Sequence, residues 1–190
     1  MKETTRQKLI DATFEEVYSH GYQGAALTEI LKNAGVHKGS MYHFFGSKKE
    51  MALAAIEEKV AERNLAKYVR ILELENGYLQ ALADTLSNTK ARDFRRGCPI
   101  ANIVQEMSNL DEDFDRAMKA IYKKFRDYLK RILDKAFEAK EMKECDTDKM
   151  ALFITSTVEG AILSAKASGD VKDYEDTVDM LISVLWQYKI

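Results

Sequence analysis

Residues 27–46 read LTEILKNAGVHKGSMYHFFG, and this stretch predicts two short helices joined by a glycine turn. Apolar residues at helical spacing define the first helix, and Thr28 is a candidate N-cap because its hydroxyl can accept from a free amide. Gly35 ends this helix, since glycine readily adopts the left-handed conformation. The second helix is predicted over 38–44. A helix, a tight turn and a short second helix can place that second helix in the DNA major groove.

The flanking sequence predicts a helix on each side of this stretch. Thr4 and Gln7 have the spacing of a capping box, in which two side chains satisfy free backbone amides, so the first helix is predicted to begin near Thr4. Ser47 and Glu50 repeat that spacing and start a helix predicted to continue to about residue 71. The helix-turn-helix therefore lies within a small helical domain, predicted over 1–60.

The rest of the chain has the periodicity of helices and none of the alternation of strands. Apolar residues make up 46% of the sequence, enough for a packed core. The single proline, Pro99, stands at a predicted helix start, where its missing amide hydrogen costs nothing. The fold class is therefore all-α with about nine helices, in two domains over 1–60 and 61–190. The further predicted helices cover 76–87, 99–107, 111–140, 146–168 and 173–189.

Composition limits the classes of function. The net charge is −2, yet residues 36–49 hold three lysines, two histidines and no acidic residue, which fits either a small DNA-contact surface or chance clustering. Cys98 and Cys145 lack metal-ligand spacing, and neither paired acids nor a glycine-rich phosphate loop indicates an enzyme, so we expect no metal and no cofactor. The N-terminus lacks the apolar run of a signal peptide, and no segment approaches the ~18 apolar residues of a membrane span. These features predict a cytoplasmic protein without a membrane partner.

Residues 4–60 resemble the N-terminal domain of the tetracycline-repressor-like (TetR/AcrR) family, from the helix-turn-helix through the helix start at Ser47 and Glu50. The resemblance implies a three-helix DNA-binding domain, in a regulator that is no enzyme and that binds double-stranded operator DNA as a homodimer. A two-fold dimer reads a palindrome whose half-sites are about 34–36 Å, one helical turn, or a multiple of it apart. The candidate DNA contacts are Thr28, Lys38, Gly39, Ser40, Met41, Tyr42, His43 and Lys48.

Each of these contacts has a chemical reason. Gly39 lacks a side chain where a backbone must approach DNA closely. Lys38, Ser40 and Met41 lie at the front of the second helix, where base edges come within reach. Thr28 is expected to cap the preceding helix so that its amides can point at a phosphate.

Aromatic and basic residues complete the predicted DNA surface. Tyr42 and His43 are able to donate to phosphates, or they form a packed aromatic pair, and Lys48 supplies positive charge. His37 stands where the family usually has a small hydroxyl residue, so the second helix is more weakly capped or gains a DNA contact. The two residues expected in the core are Phe44 and Phe45.

The resemblance implies that residues from about 65 onward sense an effector and dimerise. Small residues on 146–168 and an apolar face on 173–189 would form a four-helix bundle with their copies, or would be buried within one subunit. The predicted dimer residues are Thr157, Ala161, Ala165, Leu181, Val184, Leu185 and Tyr188. The residues that line either an effector pocket or simply the core are Phe94, Met107, Met118, Tyr122, Phe125 and Phe153.

Cys98 follows two arginines and precedes the helix that starts at Pro99. A helix N-terminus and nearby cations lower a thiol pKa, so Cys98 is either a reactive thiolate or a small buried hydrophobe. Residues 97–118 resemble the subgroup of the N-ethylmaleimide reductase repressor, whose members sense electrophiles and oxidants. That resemblance matches Cys98 to the sensing cysteine and Lys166 to a lysine facing it. Lys166 also continues the stripe of Ile154 and Val158 by steps of four.

These observations together predict a repressor that binds a palindromic operator as a dimer. A small-molecule or electrophile effector would release it by stabilising a state whose two reading heads are wrongly spaced. The alternative is a helical ligand-binding or scaffold protein that binds no specific operator.

Overall fold

The computed structural model describes residues 4–60 and 65–190, and within these ranges the chain forms ten α-helices and no strand. This confirms the predicted all-α class. The helices are α1 (Thr5–Gly24), α2 (Leu27–Ala34), α3 (Lys38–Met41), α4 (Lys48–Val60), α5 (Ala66–Leu72), α6 (Tyr78–Ser87), α7 (Pro99–Met107), α8 (Glu112–Glu138), α9 (Thr147–Ser168) and α10 (Lys172–Gln187).

The chain divides into two compact units that are discontinuous in sequence. The first unit combines Met1–Arg63 with Pro99–Ala120, and the second combines Asn64–Cys98 with Ile121–Ile190. The first therefore includes α7 and the start of α8 beside the N-terminal helices. Assignment of DNA binding to 1–60 and of effector binding and dimerisation to 61–190 stays a prediction.

In the first unit, α1 packs against α2, α4 and α7. Its inner face buries Leu9, Ile10 and Phe14, which recur at the spacing of one helical face. The Thr4 hydroxyl accepts from the Gln7 amide at 3.2 Å and so caps α1 as predicted. The Gln7 side chain donates instead to Asp11, at 3.2 Å, so only one half of the predicted box forms.

A break in α1 fixes how α7 packs against it. Gly21 has φ 75° and ψ 169°, a conformation open essentially to glycine alone. This turn frees the amides of Tyr22 and Gln23, and each donates to the Glu106 carboxylate of α7 at 2.8 Å. Glu106 thereby caps the last turn of α1 from another element of the same unit.

In the second unit, α9 packs along α10, while α6 packs on both α5 and α10. The carboxylate of Glu141, from the loop after α8, accepts from the amides of Gly77 and Leu79 and so caps α6. Asp146 caps α9, since its carboxylate accepts from the Lys149 amide at 3.0 Å.

The structure corrects three predicted helix boundaries. The N-cap of α2 is Ala26, which makes no side-chain capping bond. The prediction that Thr28 is the N-cap is therefore wrong, and Thr28 lies exposed in the first turn of α2. The helix predicted over 38–44 is α3, which ends at Met41 and continues as a turn. The helix predicted from 47 to 71 appears as α4 and α5, and residues 61–64 between them lie outside the described residues.

Helix α9 is the one described helix with the length and composition of a membrane span, at 22 residues and a hydropathy of 1.2. Core helices of soluble proteins also reach this length and composition. Helix α9 packs along α10, and 33% of its most apolar stretch of 18 residues is buried. The expectation that no segment approaches such a composition is corrected by this helix, although α9 also contains four acidic or basic residues, Asp148, Lys149, Glu159 and Lys166.

Candidate DNA-reading head and effector site

The turn between α2 and α3 forms as the sequence predicts. Gly35 adopts the left-handed conformation at φ 63° and ψ 35°, and the Val36 amide donates to the Leu31 carbonyl at 3.0 Å. His37 is the N-cap of α3 but makes no side-chain capping bond. The backbone carbonyl of His37 instead accepts from the amides of Ser40 and Met41, at 2.9 and 3.2 Å. The start of α3 is therefore held by its backbone alone, as expected for histidine at this position.

One face of α3 anchors it, and the opposite face is exposed. Met41 is 0% exposed, so its predicted contact with a base is wrong. A helix of one turn needs an apolar residue to seat it, and Met41 has that role. Ser40 is half-buried, and the exposed residues of the segment are Lys38, Gly39, Tyr42 and His43.

The two phenylalanines that follow α3 have different environments. Phe45 is buried at 3% exposure and stacks under the Arg6 guanidinium, 5.4 Å from its ring centroid. Phe44 is 43% exposed, which corrects the expectation that both belong to the core. Tyr42, at 53% exposure, is likewise outside the core.

Gly39 lies in open space on the exposed face of α3. A Cβ built on Gly39 would meet no heavy atom within 4 Å, and its φ is not positive. Neither packing nor backbone conformation therefore requires glycine at this position. The predicted close approach of the α3 backbone to DNA is a reason for glycine that is independent of both.

Two lysines of the basic segment are engaged within the first unit. Lys48 donates to the Ala25 carbonyl at 2.6 Å and lies 4.6 Å from the ring centroid of Tyr22. Burial lowers the pKa of Lys48. Lys49 forms ion pairs with Asp111 and Asp113 at 3.1 and 2.6 Å. A phosphate contact by Lys48 stays a prediction. It would require the Lys48 ammonium to leave the Ala25 carbonyl and the Tyr22 ring, or to contact the phosphate in addition to them.

The second unit contains a cluster of partly buried polar side chains around Cys98. The thiol donates to Oε1 of Glu159, with 3.3 Å between sulfur and oxygen, and burial raises the pKa of Glu159. Oε2 of Glu159 is buried without a hydrogen-bond partner among the described residues. Lys67 and Arg92 lie within electrostatic range of that carboxylate.

The ionisation of this cluster is shaped mainly by burial. Burial, together with the charge of Arg92, lowers the pKa of Lys67 to about 8. Burial raises the pKa of Tyr68 to about 12 and also raises the pKa of Tyr122. At neutral pH these tyrosines are therefore uncharged, while Lys67 still carries a proton.

The basic residues that the sequence associates with Cys98 lie in different environments. Arg95 is exposed, and Arg96 pairs with Asp93 at 2.8 Å. Lys166 is exposed although the stripe that it continues, through Ile154 and Val158, is buried. The cations within electrostatic range of Glu159, the acceptor of the Cys98 thiol, are Lys67 and Arg92.

The predicted pocket residues fall into three groups. Phe94, Tyr122 and Phe125 belong to the second unit, where the Phe94 ring lies 4.9 Å from that of Tyr174 and the Phe125 ring 6.1 Å from that of Tyr68. Met107 and Met118 are buried in the first unit, at 5% and 2% exposure, and Phe153 is 44% exposed.

Sequence patterns did not identify the residues that complete the cluster, which are Lys67, Tyr68, Arg92, Glu159 and Tyr174. A signal existed for one of them, since Glu159 is an isolated acid within the apolar middle of α9. Such an acid needs a partner or a raised pKa when it is buried. Lys67 and Arg92 carried no comparable signal because their surroundings come from distant helices.

The predicted dimer face is largely internal. Ala161, Ala165, Leu181 and Leu185 are each 1% exposed within the second unit, where α9 packs on α10, so they are corrected to core residues of one subunit. Thr157, Val184 and Tyr188 are partly exposed. The outward faces of these two helices instead carry exposed apolar side chains, namely Leu152, Phe153, Leu163 and Met180.

Comparison with known protein families finds a match in each of two parts of the chain. Residues 9–55 match the model described as bacterial regulatory proteins of the tetR family. Residues 78–181 match the model described as a tetracyclin repressor-like C-terminal domain. The first match includes the α2–α3 turn, and the second includes Arg92, Cys98 and Glu159.

Individual relatives extend over most of the chain. An HTH-type transcriptional regulator in the lacX 3′ region of Lactococcus lactis is 30% identical over 183 residues, which covers 93% of this chain and 91% of the relative. The transcriptional regulator AcuR of Cereibacter sphaeroides is 33% identical over 170 residues, covering 84% and 75%. The crystal structure of reduced NemR from E. coli superposes with a TM-score of 0.81 at 26% identity, covering 94% and 95%.

Proposed function

The chain belongs to the tetracycline-repressor family of bacterial regulatory proteins, and we propose that it represses transcription as a cytoplasmic homodimer on a palindromic operator until an electrophile reacts with Cys98. The family supports a DNA-binding repressor with a small-molecule effector. One observation carries the DNA-binding part: α3 is seated by the buried Met41 and exposes its other face. That surface offers donors for phosphates and an open glycine for close approach.

The exposed side of α9 and α10 supports dimerisation. Leu163 and Met180 are 55% and 68% exposed, and a Cβ built on Gly160 of α9 would meet nothing within 4 Å. Exposed apolar side chains grouped on one pair of helices are typical of an interface. Two-fold pairing of these helices would form a four-helix bundle and present two copies of α3 to one operator.

The position of Cys98 in the chain supports electrophile sensing. Cys98 immediately precedes α7, and Glu106 near the end of α7 holds the turn of α1 in the first unit. In the proposed step, the thiol proton passes to Glu159 and the sulfur adds to an electron-poor C=C bond. The displaced electron pair takes up a proton at the neighbouring carbon, so S–H is added across the double bond. The adduct would favour a state in which α7 and α1 no longer hold the DNA-bound arrangement.

Tyr42→Ala is expected to weaken binding to all duplex sequences by about tenfold, because it removes a phosphate donor from each subunit. Affinity is measured against duplexes that the wild-type protein selects from a random library, over a range of salt concentrations. Wild-type affinity should fall steeply with salt. Tyr128→Ala in α8 is the control and should bind like wild type. Absence of any sequence preference at low salt would contradict operator binding.

N-ethylmaleimide is expected to lower the DNA affinity of the wild-type protein by at least about tenfold, the size of a typical allosteric coupling. Cys98→Ser should keep its affinity after the same treatment. Cys145→Ser is the matched control and should respond like wild type, because burial and nearby acids raise the pKa of Cys145. If N-ethylmaleimide releases Cys98→Ser and the wild-type protein from DNA equally, Cys98 has no part in the mechanism.

A further inference from the structure

Arg92 is a basic residue of the second unit that has no part in the proposed reaction at Cys98. Its Nε and Nη2 atoms are both buried and have no hydrogen-bond partner among the described residues. These two nitrogens form one edge of the guanidinium, where their N–H bonds lie side by side. That edge matches the two oxygens of a carboxylate, which it can bind with two parallel charge-assisted hydrogen bonds.

The surroundings hold this edge in place. The Arg92 guanidinium carbon lies 5.0 Å from the ring centroid of Tyr174. Tyr174 is 0% exposed, and its hydroxyl donates to the Leu86 carbonyl at 2.7 Å, which fixes the ring. Phe94 packs against the same ring at 4.9 Å. A guanidinium oriented in this way loses little freedom on binding an anion.

The charges nearby favour a singly charged anion. Lys67 carries a second positive charge at neutral pH and lies within electrostatic range of Arg92. Glu159 is the opposing acid, and as a carboxylate it offsets one of these two positive charges, which leaves one for an anionic ligand. Tyr68 lies within electrostatic range of Arg92, and its ring contacts that of Phe125, so these aromatic neighbours suit an apolar body more than a strongly hydrated dianion.

We propose that the second unit binds a small organic carboxylate with an apolar body through the Nε–Nη2 edge of Arg92, beside Cys98. This rests on the proposed function, because it names the chemical class that the effector site selects. An electrophile that carries a carboxylate would be held by Arg92 while its electron-poor carbon approaches the Cys98 sulfur. Arg92 is thus a specificity-determining residue, and Cys98 is the residue that reacts.

The test measures binding to the free protein by calorimetry, without DNA and without alkylation. The probes are benzoate and butyrate, with benzamide and butyramide as uncharged analogues of the same shape and inorganic phosphate as a second anion. We expect the carboxylates to bind at least about tenfold more tightly than their amides and than phosphate. Equal affinity for acid and amide overturns the proposal, and tighter binding of phosphate replaces the carboxylate with a phosphate ligand.

Variants of Arg92 separate the charge from its geometry. Arg92→Gln should lower carboxylate affinity by at least about 30-fold, and Arg92→Lys, which keeps the charge but loses the two-pronged edge, by about tenfold. Arg95→Gln, an exposed arginine in the same segment, is the control and should bind like wild type. Unchanged affinity in Arg92→Gln overturns the proposal.

The stability of the Arg92 variants provides an independent readout. Arg92→Gln should unfold at or above the wild-type temperature, because it removes a buried charge that has no partner on this edge. A clear loss of stability in both variants assigns Arg92 a structural role and overturns the proposal. Carboxylate binding by a protein that N-ethylmaleimide does not release from DNA would contradict the proposed function alone, whereas release by N-ethylmaleimide without carboxylate preference would contradict this inference alone.

Discussion

Replacing Gly39 with glutamate is expected to weaken binding to duplex DNA by at least about 100-fold, while the free energy of unfolding stays within about 1 kcal/mol of wild type. The fold tolerates a side chain here, since a Cβ would meet nothing within 4 Å and the backbone is helical. On the DNA, the same side chain would place bulk and a negative charge against phosphates, in both subunits. A factor of 100 corresponds to about 2.7 kcal/mol, within the range for juxtaposed like charges.

Two variants divide this effect into its parts. Gly39→Ala adds a methyl group without charge, so any loss of DNA affinity measures close approach, while its stability should equal or exceed that of wild type. Gln105→Glu adds the same charge at an exposed position of α7 in the first unit and should bind DNA nearly as wild type does. Binding by Gly39→Glu at wild-type strength would show that α3 does not face DNA.

Gly21→Ala is expected to reduce the free energy of unfolding by about 3 kcal/mol or more. The φ of 75° and ψ of 169° are strained for alanine, at a cost of about 1–3 kcal/mol. The new Cβ would also lie 2.6 Å from Oε2 of Glu106, so the carboxylate must shift away from the amides of Tyr22 and Gln23. Each charge-assisted hydrogen bond that is lost adds about 1.5–3 kcal/mol.

Gly24→Ala is the matched control because it lies in the same helix end. Its Cβ would make an ordinary 3.5 Å contact with the Cβ of His20, and alanine favours a helix, so the stability should be unchanged or slightly higher. Urea denaturation measures the free energies, and hydrogen exchange at the amides of Tyr22 and Gln23 shows whether the Glu106 cap has opened. A loss below about 1 kcal/mol with those amides still protected would refute the assigned role of Glu106.

Local signals in the sequence located most helix ends. Thr4, Ser47 and Asp146 each accept from the amide three residues later, and Gly35 takes the left-handed conformation at the end of α2. These features involve groups a few residues apart, so spacing alone is sufficient to predict them. Thr28 is the exception, since the N-cap of α2 is Ala26, two residues before the hydroxyl that the sequence offers.

Which face of a helix is buried within one subunit and which is exposed depended on how the helices pack. Periodicity identified apolar stripes on α9 and α10, but it could not tell a stripe that faces a second subunit from one that faces the other helix of the same subunit. Ala161 and Leu185 proved internal, while Leu163 and Met180 are exposed. The same ambiguity explains Met41 and Phe44, because the direction in which a four-residue helix presents its side chains is set by what it packs against.

The sequence by itself determined the helix-turn-helix, its glycine turn and the positions of Cys98 and Pro99 at a helix start, since these are properties of neighbouring residues. Only the tertiary structure decided that Lys67, Arg92 and Glu159 gather around Cys98, because they come from segments that are far apart in the chain. Contacts between distant segments follow from how helices pack, and one sequence read alone does not encode that packing in any local pattern.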